Sequence, residues 1–199
     1  MNKPYAESCE QNRGPILEIL RLYLQDRYTL LEIGSGTGQH AVYFAPEFPH
    51  LLWQTSDLTD NHAGIRQWIA EAGCPNALDP IALDVNQPDW PEPGYEAVFS
   101  ANTAHIMDWD SMRAMFAGVG RVLNPGGVFL LYGPFNYGGK YTSESNARFD
   151  HWLKRRDPQS GIRNFDDLDR LAVAAGMELL ADHPMPANNR TLVWHKPAA

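Results

Sequence analysis

The stretch that decides the fold is YTLLEIGSGTGQH, residues 28–40. Residues 28–33 form a short apolar run typical of a buried strand, and residues 39–45 have the pattern of a short helix that Pro46 ends. Glycines stand between them at positions 34, 36 and 38. A glycine loop between a strand and a helix lets a ligand approach the backbone closely, because no Cβ stands in the way. The stretch therefore predicts a nucleotide-binding turn at the start of an α/β sheet.

The spacing of these glycines excludes two common nucleotide sites. The dinucleotide fingerprint G-x-G-x-x-G starting at Gly34 requires glycine at position 39, where this chain has Gln39. The phosphate loop G-x-x-x-x-G-K-[ST] also requires glycine at 39 and then lysine at 40, where His40 stands. What remains is an acidic residue followed by three alternating glycines, Glu32, Gly34, Gly36 and Gly38.

Two further acidic residues follow the next predicted strands. Asp57 comes after a strand predicted over 51–55, and Asp84 comes after a short strand over 81–83. A carboxylate at the end of the second strand can accept both hydroxyl hydrogens of a ribose, which any adenosyl cofactor offers. Either aspartate can instead cap the helix that follows it. Both interpretations remain open at this point.

The rest of the chain alternates short apolar runs with helical patterns, which predicts a parallel sheet covered by helices. Gly14-Pro15 is expected to open the first helix, because proline is tolerated in the first turn. Further strands are predicted over 97–100, 128–132, 178–181 and 191–194. Residues 133–163 show no strand pattern, although 145–156 have a helical one. A connection this long in a compact domain is usually functional, often a lid.

Composition limits the classes of function. The 199 residues carry a formal charge of −8, which argues against tight binding to nucleic acid. We expect one domain over 1–199, cytoplasmic, with no secretory leader and no membrane span. The two cysteines and the scattered histidines show no metal-ligand spacing, so we expect no metal.

Several stretches resemble a known family over nearly the whole chain. Glu32 and the glycine loop are similar to the loop of class I S-adenosylmethionine-dependent methyltransferases. Four further stretches resemble the methyltransferase-like family catalogued as domain of unknown function 938: NRGPIL at 12–17, ANTAHI at 101–106, YGPF at 132–135 and YTSESNARFD at 141–150. Gly14 departs from that family, in which relatives often carry an acidic residue at this position.

This resemblance implies an α/β, Rossmann-like class I methyltransferase fold of seven strands. The sheet would be mostly parallel, with an antiparallel C-terminal hairpin and helices on both faces. It also implies S-adenosyl-L-methionine as cofactor, S-adenosylhomocysteine as product and an enzyme of EC 2.1.1 type. The implied cofactor-binding residues are Glu32, Gly34, Ser35, Gly36, Gly38, Asp57, Leu58, Asp84, Val85 and Asn102.

The methyl acceptor is expected beside the loop after the fourth strand, residues 102–109. Ligands of open α/β sheets bind outside the carboxyl ends of the strands, near the change in strand order. His105 lies in this loop and is a candidate catalytic base, since histidine is well suited to take a proton near neutral pH. It can alternatively hydrogen-bond its own loop. Asn102 is a second candidate catalytic residue, which would orient substrate or cofactor.

Residues 133–163 are expected to form a lid over the acceptor, facing an N-terminal helical cap formed by residues 1–27. The candidate substrate and lid residues are Tyr5, Arg13, Tyr137, Tyr141, Ser143 and Asn146. Arg13 would pair with a carboxylate of cofactor or substrate, or would be solvated. We expect Phe149 and Trp152, three residues apart on one helix, to be core residues.

The sequence leaves several alternatives open. A small-molecule acceptor fits best, with the acceptor atom (O, N or S) and the choice between monomer and homodimer undetermined. One alternative is a non-catalytic scaffold or partner subunit that keeps the nucleotide site. A nicotinamide-dependent oxidoreductase is disfavoured by Gln39 and by the lack of a second domain. A methyltransferase acting on RNA or protein is the remaining alternative, and the −8 charge argues against RNA.

Overall fold

The computed structural model describes residues 3–198, over which six α-helices and nine strands form. The helices are α1 Glu7–Tyr23, α2 Gln39–Phe44, α3 His62–Ala72, α4 Trp109–Val122, α5 Glu144–Arg156 and α6 Phe165–Ala174. The strands are β1 Thr29–Ile33, β2 Leu52–Asp57, β3 Ala77–Ala82, β4 Tyr95–Ala101, β5 Leu123–Gly133, β6 Phe135–Asn136, β7 Arg163–Asn164, β8 Glu178–Met185 and β9 Asn189–His195.

Seven of these strands form one sheet in the order β3-β2-β1-β4-β5-β9-β8. The first five are parallel to one another, whereas β9 is antiparallel to both β5 and β8. The sheet thus has the predicted strand number, the mostly parallel order and the antiparallel C-terminal hairpin. The chain order reverses between β1 and β4, which is where ligands of such sheets bind.

Each face of the sheet buries its own hydrophobic core, because successive strand residues point to opposite faces. Leu30 of β1 and Leu130 of β5 pack with residues of α1 and α2. Their neighbours Leu31 and Leu131 pack with α4 and α6 on the other face. The two cores hold the strands in register, so the carboxyl ends of β1, β2, β4 and β5 lie along one edge of the sheet.

Helix α1 is longer than the sequence predicts. It begins at Glu7 rather than at Gly14, so that Pro15 lies inside it. Glu7 and Glu10 in the first turn complement the helix dipole, which explains the early start. Pro15 supplies no N–H to bond the carbonyl of Gln11, four residues earlier.

The long connection after β5 also differs from expectation. Residues 133–163 were predicted to lack strands, yet β6 and β7 pair in parallel as a separate two-stranded sheet. The intervening helix α5 agrees with the predicted helical stretch. Within residues 3–198, no helix is long and apolar enough to cross a membrane.

Candidate functional site

The glycine loop runs from the end of β1 to the start of α2, and all three of its glycines have positive φ. The values are +72° at Gly34, +58° at Gly36 and +91° at Gly38, in the region that side chains other than glycine rarely adopt. The Gly34 and Ser35 amides donate to the Ser56 carbonyl at 3.1 and 3.0 Å, which ties the loop to β2. A Cβ at Gly36 would meet no atom within 4 Å, so the backbone there is open to a ligand.

Glu32 lies beneath this loop and is buried. Its Oε2 accepts hydrogen bonds from the Ser35 hydroxyl at 2.9 Å and the Trp53 indole at 3.0 Å. Burial raises the pKa of Glu32 to about 7, while these two donors oppose the shift. The Ser35 contact lets the side chain support the loop from below.

Asp57 ends β2 and binds the same loop. Its Oδ2 accepts from the Gly36 amide at 2.6 Å, and its Oδ1 accepts from the Leu58 amide at 2.7 Å and from Asn61 at 2.8 Å. A carboxylate offers about four acceptor positions, so Oδ2 keeps one that these contacts do not use. The structure therefore links Asp57 both to the glycine loop and to the turn after β2.

The remaining predicted cofactor residues lie along the ends of β2 and β3. Leu58, directly after the buried Asp57, is 54% exposed, so it presents an apolar side chain at the surface. Val85 is buried in the core beneath α4. Asp84 accepts the Asn86 amide at 3.0 Å in a local turn, and it does not cap a helix, because β4 is the next element after β3.

These features fit an adenosyl methionine-type cofactor. The loop presents bare backbone at Gly36, one oxygen of Asp57 can accept a further hydroxyl hydrogen, and Leu58 offers an apolar surface beside it. The free acceptor position of Asp57 matches a ribose hydroxyl, and the apolar surface of Leu58 matches the flat base of such a cofactor. Within residues 3–198, no group of three or more His, Cys, Asp or Glu side chains is arranged to hold a metal ion.

A cavity of about 980 Å³, here called the chamber, opens beside the glycine loop. Five separate segments line it: α1, the loop after β4, the end of β5, α5 with the turn after it, and the turn between β8 and β9. Its lining residues are Ser8, Gln11, Asn12, Pro15, Asn102, His105, Ile106, Tyr132, Pro134, Ser145, Asn146, Phe149, Trp152, Leu153, Arg156, Asp157, Ser160 and Pro186 to Asn189.

Asn102 and Thr103 connect the chamber to the glycine loop. Asn102 lines the chamber and has a left-handed backbone, with φ +60°. This conformation is uncommon for a residue other than glycine, although asparagine adopts it more readily than most. Its neighbour Thr103 packs against the loop so closely that a Cβ at Gly34 would lie 2.6 Å from the Thr103 Cγ2 atom. The two predicted sites are therefore adjacent.

His105 lines the chamber and is buried, as the predicted position after β4 requires. Its Nδ1 is buried without a hydrogen-bond partner in the described part of the chain. Burial lowers the pKa of His105 to about 4, with the nearby Arg163 guanidinium acting in the same direction. The imidazole is therefore neutral near pH 7, and the same burial makes it a weaker base than a solvated histidine. Its own backbone carbonyl accepts the Gly161 amide at 2.9 Å.

Arg163, a residue that sequence analysis missed, fixes the His105 loop from behind. Its guanidinium donates to the carbonyls of Ala104 and Met107 on either side of His105, and to that of Gln159. No sequence pattern distinguishes this arginine, because its partners are backbone carbonyls 4 to 59 residues away. The contact sets the position of His105 relative to α5 and the end of the long connection.

Asp150 holds α5 over the chamber. This carboxylate is fully buried and accepts from the Ile162 amide at 2.7 Å, the Tyr141 hydroxyl at 2.6 Å and the Lys154 ammonium at 2.7 Å. Asn146, one turn earlier, donates to the Asn188 carbonyl at 3.1 Å. These bonds connect α5 to both ends of the long connection and to the β8–β9 turn.

The prediction that Phe149 and Trp152 are core residues is wrong. Trp152 is 42% exposed, and both side chains line the chamber. Their rings stack with centroids 5.8 Å apart and planes 17° apart. The His105 and Phe149 rings meet in a T-shaped arrangement, with 5.2 Å between their centroids. Three-residue spacing brings the rings together, but α5 turns them toward the chamber rather than toward the sheet.

Of the six predicted substrate and lid residues, Asn146 alone lines the chamber. Tyr5 is exposed ahead of α1, and Tyr137 donates to Asp182 on β8 at 2.7 Å. Tyr141 donates to Asp150, and Ser143 accepts the Asn146 amide as the cap of α5. Arg13 makes an ion pair with Glu10 at 2.6 Å and lies over the Tyr43 ring.

Sequence analysis missed the polar residues that α1 and the β8–β9 turn contribute. Asn12 accepts from the His40 ring at 2.8 Å and approaches the Tyr132 hydroxyl, as Asn189 does from the opposite side. Burial raises the pKa of Tyr132, while these two amides lower it. In the turn, Ala187 and Asn188 have φ of +57° and +59°. Their positive φ is a conformational signal that only the structure provides.

Comparison with known proteins gives one family. A model of the family described as "Protein of unknown function (DUF938)" matches residues 3–196.

Several solved structures with the same fold are described as methyltransferases, and another is described only as solved with SAH. An O-methyltransferase family protein from Burkholderia thailandensis superposes with a TM-score of 0.83 at 13% identity, over 94% of this chain and 56% of that one. The S-adenosylmethionine-dependent methyltransferase SibL superposes with a TM-score of 0.81 at 20% sequence identity, over 96% of this chain and 56% of that one. PigF, solved with SAH, superposes with a TM-score of 0.79 at 18% sequence identity, over 94% of this chain and 56% of that one. This chain thus spans just over half the length of each, and the likeness confirms the predicted class I methyltransferase fold.

Proposed function

This chain belongs to the DUF938 family, and we propose that it is an S-adenosylmethionine-dependent methyltransferase acting on a small molecule. One observation carries the proposal. The glycine loop packs against Thr103, and two residues close to Thr103 in the chain, Asn102 and His105, line a chamber of about 980 Å³. A cofactor on the loop and an acceptor in the chamber would therefore meet at Asn102.

In this proposal the cofactor is held by the loop, by Asp57 and by the apolar surface of Leu58. The Gly36 backbone accommodates its amino-acid end, and the Asp57 Oδ2 accepts a ribose hydroxyl hydrogen. When bound, the cofactor supplies a methyl carbon attached to a positively charged sulfur. Glu32 keeps the loop in place through Ser35 without contacting the ligand itself.

His105 would take the proton that the acceptor loses. Its ring is neutral near pH 7 because burial lowers its pKa to about 4, and its Nδ1 has no partner in the described part of the chain. Arg163 holds the loop on both sides of the ring, so that the imidazole has little freedom to move away. Asn102 would orient the acceptor beside it.

The size and cover of the chamber favour a small acceptor. Its volume falls in the range of pockets for drug-sized ligands, and α5 closes one side of it. We propose that the segment 133–163 keeps water from the reacting groups, since Asp150 and Asn146 tie α5 to neighbouring elements. Oxygen is the first acceptor atom to test, because several of the similar structures are described as O-methyltransferases.

Calorimetric titration with S-adenosylmethionine, S-adenosylhomocysteine and NAD tests the cofactor, and a metabolite screen with isotope-labelled S-adenosylmethionine tests turnover. We expect binding of both adenosyl compounds, weak or absent binding of NAD, and label transfer to a small acceptor. Binding without turnover against any acceptor would favour the non-catalytic scaffold. Preferential binding of NAD would overturn the proposal.

A further inference from the structure

Carboxamides dominate the polar surface of the chamber. Six of its lining side chains are amides, Gln11, Asn12, Asn102, Asn146, Asn188 and Asn189. A carboxamide presents a donor and an acceptor side by side, so it pairs best with a ligand edge that carries the complementary two groups. A single hydroxyl leaves one of the two groups unpaired, which is unfavourable in a closed site.

The chamber has little charge. Its charged lining residues are Arg156 and Asp157, which are both exposed at the C-terminal end of α5. The Arg156 guanidinium already lies 4.6 Å from the Trp152 ring centroid. A carboxylate or phosphate deep in the chamber would therefore lack a buried counter-charge. This lining favours an uncharged ligand.

The aromatic residues give the chamber one flat side. The Phe149 and Trp152 rings are nearly parallel, and the His105 ring meets Phe149 edge-on. A planar ring system stacked on this pair would direct an edge toward His105 and the neighbouring Asn102. Asn102, which has a left-handed backbone, lines the chamber and directly precedes Thr103, the residue that packs against Gly34.

From these three features we propose that the acceptor is an uncharged planar heterocycle that carries a cyclic amide. Its N–H and C=O edge pairs with a carboxamide of the chamber, in the first place Asn102, while its ring stacks on Phe149 and Trp152. This inference rests on the proposed methyltransferase function and narrows its substrate class.

The reaction balances without any further reagent. The bond between the methyl carbon and sulfur breaks, and its electron pair stays on sulfur. A bond from that carbon to the amide nitrogen or oxygen of the heterocycle forms. The proton that the cyclic amide loses passes to His105 and from there to solvent.

Three bicyclic probes of similar size separate this class from its competitors: 2-quinolinone, a cyclic amide; 2-naphthol, a phenol; and quinoline-2-carboxylate, an anion. Each is titrated calorimetrically into protein saturated with S-adenosylhomocysteine at pH 7, so that the cofactor site is already filled. We expect 2-quinolinone to bind at least about tenfold more tightly than either competitor. Equal or tighter binding of a competitor, or no binding of 2-quinolinone, would overturn the inference.

Substitution Asn102→Asp tests the role of the carboxamide. It keeps the side-chain shape and tolerates the same backbone conformation, but it removes the N–H donor. We expect the preference for 2-quinolinone over 2-naphthol to fall about tenfold. Asn124→Asp, at the opposite end of the sheet, is the matched control and should keep the wild-type ratio. An unchanged ratio in Asn102→Asp would count against this pairing.

The preliminary titration with S-adenosylhomocysteine keeps the two proposals distinguishable. If the cofactor product does not bind, the proposed function itself fails. If it binds and a phenol or an anion is then preferred, the methyltransferase proposal stands and the heterocycle inference fails.

Discussion

The cofactor edge, residues 32–38 with Asp57, and the chamber are built in different ways. The cofactor edge comes from one contiguous stretch plus one aspartate, whose carboxylate accepts the Gly36 backbone amide 21 residues earlier in the chain. The chamber draws on five segments that range from Ser8 to Asn189. A site made from one stretch leaves a spacing pattern in the sequence, whereas a site assembled from distant segments becomes visible only after folding. The two also differ chemically, since backbone geometry dominates the first and side-chain polarity the second.

The largest expected effect is on turnover, and it distinguishes the chamber, where the proton is taken, from the cofactor edge, where the cofactor binds. His105→Ala removes the proton acceptor from the chamber, so we expect kcat to fall about a thousandfold with the acceptor that supports turnover. The affinity for S-adenosylhomocysteine should remain within about twofold, because His105 lies outside the cofactor edge. His151→Ala, which changes an exposed histidine on the same long connection, is the control. Unchanged turnover would remove the proposed role of His105.

The second effect concerns the pH dependence of the cofactor edge. The folded pKa of Glu32 is raised to about 7 from 4.5, so the unfolded chain releases this proton at lower pH than the folded protein does. The stability that protonated Glu32 contributes is therefore lost as pH rises from about 4.5 to 7. Glu32→Gln does not titrate, and its free energy of unfolding relative to wild type should rise over this range by on the order of 3 kcal/mol.

Urea denaturation at pH 4.5, 6 and 8 measures this difference for Glu32→Gln. Glu178→Gln, at an exposed position of β8, is the control. A difference from wild type that stays constant with pH would show that folding does not raise the pKa of Glu32, contrary to its buried position under the loop.

The third effect tests the junction between the two regions. Gly34→Ala combines an unfavourable φ of +72° with a Cβ placed 2.6 Å from Thr103 Cγ2. We expect a loss of roughly 2 kcal/mol in unfolding free energy and about tenfold weaker binding of S-adenosylhomocysteine. Gly139→Ala is the control: the φ at Gly139 is also +72°, but an added Cβ there would meet no atom within 4 Å. This variant should lose only the part of the unfolding free energy that comes from the unfavourable φ.

A second substitution shows whether Thr103 causes the loss in Gly34→Ala. Thr103→Ser removes the Cγ2 atom and keeps the hydroxyl that bonds Ser100 at 2.7 Å. In the double variant Gly34→Ala with Thr103→Ser, we expect partial recovery of both the unfolding free energy and the affinity for S-adenosylhomocysteine. The remaining loss should be the part caused by the unfavourable φ at position 34. Absence of any recovery would mean that the loop and the Thr103 segment are not coupled.

The smallest expected effect lies outside both regions. Arg13→Gln removes a guanidinium that already pairs with Glu10, so we expect a change of less than about 1 kcal/mol in stability. The affinity for S-adenosylhomocysteine should change less than about threefold. A tenfold loss of affinity would instead indicate that Arg13 leaves Glu10 and binds the cofactor carboxylate, as one sequence interpretation suggested.

The fold was predictable because its signals are local. The apolar strand runs and the glycine spacing at 34, 36 and 38 are sufficient to place β1, the loop and α2. The start of α1 was not predicted, because the acidic first turn at Glu7 and Glu10 outweighs the interior Pro15. The parallel pairing of β6 and β7 joins two dipeptides, which are too short to leave a periodic pattern.

The chamber was predictable where it touches the strand ends and at Asn146 in the long connection. His105 and Asn102 follow β4, and the general geometry of such sheets places them near a ligand. Asn12 and Asn188 carry no comparable signal, since each takes its position from packing against a distant segment. Trp152 was misassigned because helical spacing identifies side chains that share a face without specifying what that face covers.

The crystal structure of the protein with S-adenosylhomocysteine tests the central claim most directly. We predict that the amino-acid end of the ligand lies at Gly36 and that a ribose hydroxyl donates to Asp57. The sulfur should lie at Asn102 and face the chamber. A ligand that lies inside the chamber itself, or whose sulfur points away from Asn102 and His105, would contradict it.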